Sequence, residues 1–153
     1  MKVFKFGGAS VKSAAAVRNT AAIIHSFSDQ ALLVVVSAMG KTTNALERVV
    51  NAILRKQDYQ PELRQLKEYH RIIMQDLFAE DHPIYQLVQK EFDAIESFQG
   101  QSWSEDQLYD QVVSIGEVVS TRIVAAFVQK QHGLGLWLDA RNYIVTDDTY
   151  REG

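Results

Sequence analysis

The stretch KVFKFGGASVKSAAAVRNTAAIIHSFSDQALLVVV, residues 2–36, decides the fold. Lys2 to Phe6 alternates apolar and basic residues as a short strand does, and the Gly7-Gly8 pair ends it with backbone freedom that a side chain denies. Val17, Ala21, Ile24 and Phe27 recur at helical spacing behind the small residues Ser10 to Ala16, which predicts a helix from Ser10 or Ser13 to Ser28. Ala31 to Val36 is an unbroken, valine-rich apolar run, the pattern of a strand covered on both faces as in a parallel sheet. Strand, helix and strand make a βαβ unit, whose crossover is expected to be right-handed.

Downstream of the loop Ser37 to Thr43, Asn44 and Glu47 have capping-box spacing, and Leu46, Val49 or Val50, and Ile53 form the stripe of a second helix ending near Asp58. Pro61 suits the first position of a third helix that turns Leu63, Leu66, Ile73 and Leu77 inward. The Asp81-His82-Pro83 turn leads to a fourth helix bearing Ile84, Val88, Phe92 and Ile95, so residues 61–100 read as a helical excursion outside the sheet. A long helix follows from about Glu105 to Gln131, capped by Ser102 or Ser104 and broken by Gly133 and Gly135. Leu136 to Asp139 and Tyr143 to Thr146 read as short strands. Strands and helices at both ends predict an α/β layered fold with about four strands, too few for a covered parallel sheet and hence an incomplete one.

Bulk properties narrow the function classes. The 153 residues are 46% hydrophobic and 23% charged, ordinary for a globular domain, and the 16 Lys and Arg are dispersed under a net charge of −3, which argues against nucleic acid. No cysteine is present, so disulfides, thiolate metal sites and cysteine nucleophiles are excluded. His25, His70, His82 and His132 lack ligand spacing and read as surface or satisfied core residues, so no metal site is expected. No signal peptide and no apolar run near the roughly 18 residues of a membrane span is visible, so a cytoplasmic location is expected.

Three places could carry chemistry. In Lys5-Phe6-Gly7-Gly8-Ala9-Ser10-Val11 a lysine at a strand end meets two glycines and a helix start, the parts from which a phosphate cradle is made: close backbone N–H groups, a positive helix end and a compact charge. Taken alone, a tight strand-to-helix turn with an incidental lysine explains it as well. Ser37-Ala38-Met39-Gly40-Lys41-Thr42-Thr43-Asn44 contains Gly-Lys-Thr but is no P-loop, because the required earlier glycine is Val35. It is a polar loop at the carboxyl end of a strand, where open α/β sheets bind ligands, or simply a capped turn. Glu117 lies in a helix with two apolar stripes, Leu108, Val112, Ile115, Val119, Ile123 and Ala126 on one side and Val113, Ser120, Val124 and Phe127 beside Glu117 on the other. A helix so patterned is sandwiched, which places Glu117 inside, paired with Arg122 or waiting for a cationic ligand.

Together, KFGGASV (5–11), VVVSAMGKTTN (34–44), VSIGEVVSTRI (113–123) and LDARNYIVTDD (138–148) resemble aspartate kinases of the amino acid kinase superfamily in order and spacing over nearly the whole chain. The resemblance implies a three-layer α/β/α sandwich and transfer of the γ-phosphoryl of ATP, its Mg2+ carried by the nucleotide, to L-aspartate, the first step toward lysine, threonine and methionine. It implies that Lys5 contacts the transferring phosphates and is the catalytic lysine, that Gly7, Gly8 and Ser10 line the phosphate turn, that Ser37 faces substrate and phosphoryl group, and that Thr43 and Glu117 hold aspartate, Glu117 at its ammonium. The block with Asp139 and Arg141 is given a structural role. Ala9 replaces a usual threonine and Lys41 a common glycine.

Alternatives are another amino acid kinase, with glutamate, acetylglutamate or carbamate as acceptor, and a non-catalytic amino-acid-binding module. In aspartate kinases the second substrate arginine, the catalytic aspartate and the adenine pocket lie beyond the position of Gly153. Phosphoryl transfer needs nucleotide, metal and acceptor positioned together. The 153-residue chain alone is therefore expected to show no aspartate-dependent ADP release above a Lys5→Ala control in a coupled assay, and its unpaired strand edges are expected to favour a homo-oligomer. Aspartate-dependent turnover well above that control overturns the first expectation.

Overall fold

Strand β1 (Lys2–Phe6) and strand β2 (Leu32–Val36) pair in parallel, Lys2 opposite Leu32 and Phe6 opposite Val36, with helix α1 (Ala14–His25) between them in sequence. This is the expected βαβ unit in a computed structural model that describes residues 1–98, 100–147 and 149–150. Phe6, Leu32, Val34 and Val36 join the core, whereas Val3, Leu33 and Val35 are 57%, 43% and 46% exposed. The expectation that β2 is covered on both faces is therefore corrected: among the described residues helices cover one face of the sheet only, because no element packs over Val3, Lys5, Leu33 and Val35.

The first turn differs in detail from the sequence reading. Gly8–Val11 forms a 3-10 turn, and Ser13, not Ser10, caps α1 by accepting the Ala16 N–H at 3.2 Å. Helix α2 (Thr42–Leu54) starts two residues before the expected Asn44 cap and ends before Asp58. No capping box forms, since Asn44 is already helical and Glu47 accepts from the Tyr109 hydroxyl at 2.7 Å. Helices α3 (Gln60–Leu77), with Pro61 in its first turn, and α4 (Ile84–Ser97) follow. Their inward residues are those of the apolar stripes, including Leu63, Ile84, Phe92 and Ile95, each no more than 1% exposed.

Helix α5 (Glu105–His132) is the axis of the molecule, packed against α1, α2, α4 and β2. The Ser104 hydroxyl caps it by accepting the Gln107 N–H at 3.1 Å, and Gly133 ends it in the left-handed region at φ 63°. By length and composition alone α5 could cross a bilayer. Here Val112, Ile115, Val119 and Ile123 on one stripe and Ser120, Val124 and Phe127 on the other are buried within the protein.

Beyond Gly133 the two expected strands do not form. Among the described residues the sheet has two strands, not four, and Ala140–Asn142 is a 3-10 turn capped by the Asp139 side chain. The cause is local. The Trp137 indole N–H donates to Thr121 Oγ1 at 3.0 Å and its ring lies 3.9 Å from the Arg122 guanidinium, which ties this segment to α5 rather than to a sheet edge. Arg141 donates to Asp139 through its guanidinium, and that hydrogen bond holds the Asp139 carboxyl below its ordinary pKa. Asp148, in the last quoted sequence block, lies outside the described residues.

Where α5 meets α2, Gly116 leaves no room. A Cβ there would sit 3.0 Å from Thr42 Cγ2, 3.1 Å from Ala38 Cβ and 3.2 Å from Leu46 Cδ1. Gly116→Val should cost about 1–3 kcal/mol through overpacking, roughly 2–4 °C in Tm for each kcal/mol. Thermal unfolding checks this, and an unchanged Tm would show that α5 can stand off from α2 at no cost.

Candidate functional site

The carboxyl ends of β1 and β2 feed two turns that are stitched together. Ser37 N–H extends the ladder by donating to Phe6 O at 2.9 Å, and Gly40 N–H donates to Gly8 O at 3.0 Å. Gly8 is where the turns touch: a Cβ would lie 2.5 Å from Ala38 O and 3.1 Å from Gly40 O, so only glycine fits without displacing backbone. Gly40 itself adopts φ +56°. The Ser10 N–H closes the first turn on Gly7 O at 2.9 Å, while Ser10 O accepts from the Thr20 hydroxyl, also at 2.9 Å. Ser10's own side chain is exposed.

Helix α5 closes the site from the helical side. Glu117 Oε1 accepts from the Ala38 N–H at 3.4 Å, and the Ser120 hydroxyl donates to Ser37 O at 2.8 Å. Glu117 is half-buried, and burial raises its pKa above the ordinary carboxylate value, only partly offset by backbone hydrogen bonds. Of the two alternatives for Glu117, pairing with Arg122 is not the one found. Arg122 turns away to pair with Glu91 at 2.8 Å and to stack on Trp137, because five residues along a helix put it on a different face. Thr43, half-buried, is the second residue of α2, directly after the Thr42 that packs on Gly116.

Of the sequence-selected residues, the fold thus gathers Gly8, Ser37 and Glu117 around one loop, with Thr43 at the adjoining helix start. Lys5 stands apart. It is exposed on the uncovered face of β1, opposite the side that buries Phe6, so the sheet separates it from Glu117. A cleft of about 360 Å³ runs beside Glu117, bounded on α5 by Tyr109, Val113 and Ser114 and across it by Thr146 and Asp147. The sequence reading misses Thr146 and Asp147 here, because it takes residues 143–146 as a strand and gives Asp147 no role.

The arrangement can present backbone N–H groups and a lysine to an anion from the sheet side and a desolvated carboxylate to a cation from the helix side. Of the two readings open for the histidines, surface or satisfied core, His70 takes the second, with Nδ1 2.8 Å from Leu66 O and Nε2 3.4 Å from Thr42 Oγ1.

Comparison with known proteins agrees with this architecture. The chain is 33% identical to aspartokinase 2, chloroplastic, of Arabidopsis thaliana over 95% of its own length and 28% of that protein's. It is 35% identical to aspartokinase 3, chloroplastic, of the same plant over 84% of its length and 24% of the relative's. Among solved structures, E. coli aspartokinase III in complex with lysine and aspartate superposes with a TM-score of 0.81 at 24% identity, over 98% of this chain and 34% of that one. The same enzyme with aspartate and ADP gives a TM-score of 0.72 over 86% and 29%. The chain thus spans about a quarter to a third of the length of these proteins. The model of the Amino acid kinase family matches residues 1–151, and the chain belongs to that family.

Proposed function

We propose that this chain carries the acceptor-binding and phosphate-contacting part of an aspartate kinase, which transfers the γ-phosphoryl of MgATP to the side-chain carboxylate of L-aspartate to give ADP and 4-phospho-L-aspartate. The observation that carries the reading is the half-buried Glu117 carboxylate set against Ala38 at the joined ends of β1 and β2. The aspartokinase relatives support the choice of acceptor over glutamate, acetylglutamate or carbamate.

In this reading Glu117 receives the substrate ammonium, an ion pair that offsets its desolvation. Thr43 and Ser37 hold the remaining polar groups, with Ser37 facing the phosphoryl group. Gly7, Gly8 and Ser10 cradle phosphate oxygens, and Lys5 meets charge on the phosphoryl group as it passes to the acceptor oxygen. Magnesium arrives with the nucleotide. A cytoplasmic homo-oligomer extends the proposal, supported for the oligomer by the uncovered apolar residues Val3, Leu33 and Val35.

Calorimetric titration with L-aspartate tests it. Glu117→Gln should weaken binding on the order of ten- to a hundredfold, the worth of one charge-assisted contact, while Lys5→Ala should leave aspartate affinity intact. Equal affinity in wild type and Glu117→Gln ends the assignment.

The same variant has a distinct signature in stability. Because burial raises the Glu117 pKa, the folded protein holds that proton more tightly than the unfolded chain does. The stabilisation from this group is full below its ordinary pKa of 4.5 and is lost as pH rises through the folded-state value. Glu117→Gln should therefore gain Tm relative to wild type between pH 4 and pH 7. A loss of Tm at pH 7 would instead mark Glu117 as a structural ion-pair member.

A further inference from the structure

Two adjacent side chains of α3, neither of them among the ligand-contacting residues above, reach both turns of the site. The Tyr69 hydroxyl donates to Lys12 O at 2.7 Å, in the turn that follows β1. It also abuts Gly40, where a Cβ would lie 2.6 Å from the same oxygen. His70 is fully buried, its ring centroid 5.0 Å from Tyr69 and 5.2 Å from Phe92.

Leu66 O can only accept, so His70 Nδ1 carries the proton, and Nε2 is left as the acceptor for the Thr42 hydroxyl. Burial lowers the pKa of this ring to about 4, which keeps it in that neutral form at physiological pH. Thr42, 1% exposed, is the first residue of α2, and its N–H donates to Met39 O at 3.0 Å. Its methyl is the atom that abuts Gly116.

An apolar pair would fill this layer at similar stability, since a buried hydrogen bond contributes little net once both partners can be replaced. What the polar pair adds is a fixed position. Thr42 reaches His70 Nε2 only with α2 set at one height against α3, and that height helps to position Met39 to Thr43.

We propose that Tyr69 and His70 are positioning residues that lock the turns after β1 and β2 into one register, Tyr69 through Lys12 and Gly40 and His70 through Thr42, and thereby set Ser37, Thr43 and the Gly7–Ser10 turn for the acceptor amino acid and phosphate. The substrate clause rests on the aspartate reading; the lock itself does not.

Amide hydrogen exchange on the full chain reads the lock directly through the N–H groups of Ser10, Gly40 and Thr42, which bond to Gly7 O, Gly8 O and Met39 O. Tyr69→Phe should speed exchange at Ser10 and Gly40, and Thr42→Val and His70→Asn at Gly40 and Thr42, each at least severalfold. His70→Gln should behave as wild type, because its amide reaches the Nε2 position while that of asparagine reaches only Nδ1. L-Aspartate affinity should fall with the lock, on the order of three- to tenfold for each lost bond. Unchanged exchange at these amides, or acceleration that spreads equally to α4 and the β1–β2 ladder, overturns the proposal, as does a loosened turn with unaltered aspartate affinity. A wild-type chain that binds no L-aspartate removes the substrate reading, while the local exchange pattern still supports the lock.

Discussion

A methyl group on Gly8 would lie 2.5 Å from the carbonyl oxygen of Ala38, and most of the site follows from that contact. Two backbone turns approach within hydrogen-bonding distance only if one of them lacks a side chain at the point of contact. With Gly8 in place, Gly40 N–H reaches Gly8 O and Ser37 N–H reaches Phe6 O, so the parallel ladder continues past the strands into the loops. Gly116 repeats the device from the opposite side, letting α5 come near enough for Glu117 and Ser120 to bond Ala38 and Ser37. The polar groups of the site are thus fastened to a backbone whose spacing is set by two absent side chains.

The sequence was most legible where period and punctuation agree. The βαβ unit, α3, α4 and α5 follow from apolar spacing and from Pro61, Ser104 and Gly133, all local signals. It was least legible where a tertiary partner decides. Asn44 and Glu47 have the right spacing for a capping box, yet Tyr109 takes Glu47 and α2 begins earlier, at Thr42. Leu136 to Asp139 and Tyr143 to Thr146 have strand composition, but Trp137 and Arg122 bind each other, and no strand pairs with these residues among those described.

For the site, helical periodicity placed Glu117 between packed faces before any contact was known, and the two loops were found from glycines and strand ends. What periodicity could not supply was pairing. Arg122 is near Glu117 in sequence but belongs to Glu91 in space, and the separation of Lys5 from Glu117 by the sheet follows only from strand alternation combined with knowledge of which face is covered. Tyr69 and His70 were invisible for the same reason, since their partners Lys12, Gly40 and Thr42 lie 28 or more positions away.

Helix α5, 28 residues or about 42 Å long, has one tryptophan before its first turn and the other after its last. Trp103 packs on Phe98 at 5.1 Å, and Trp137 stacks on Arg122 with its N–H held by Thr121, little more than one turn from Glu117. A charge arriving at Glu117 would therefore sit about one helical turn from the Thr121 that holds one indole and about four turns from the other indole. The chain carries its own pair of fluorophores at unequal distances along α5 from Glu117, so occupancy could be followed in solution by intrinsic emission without attaching a dye.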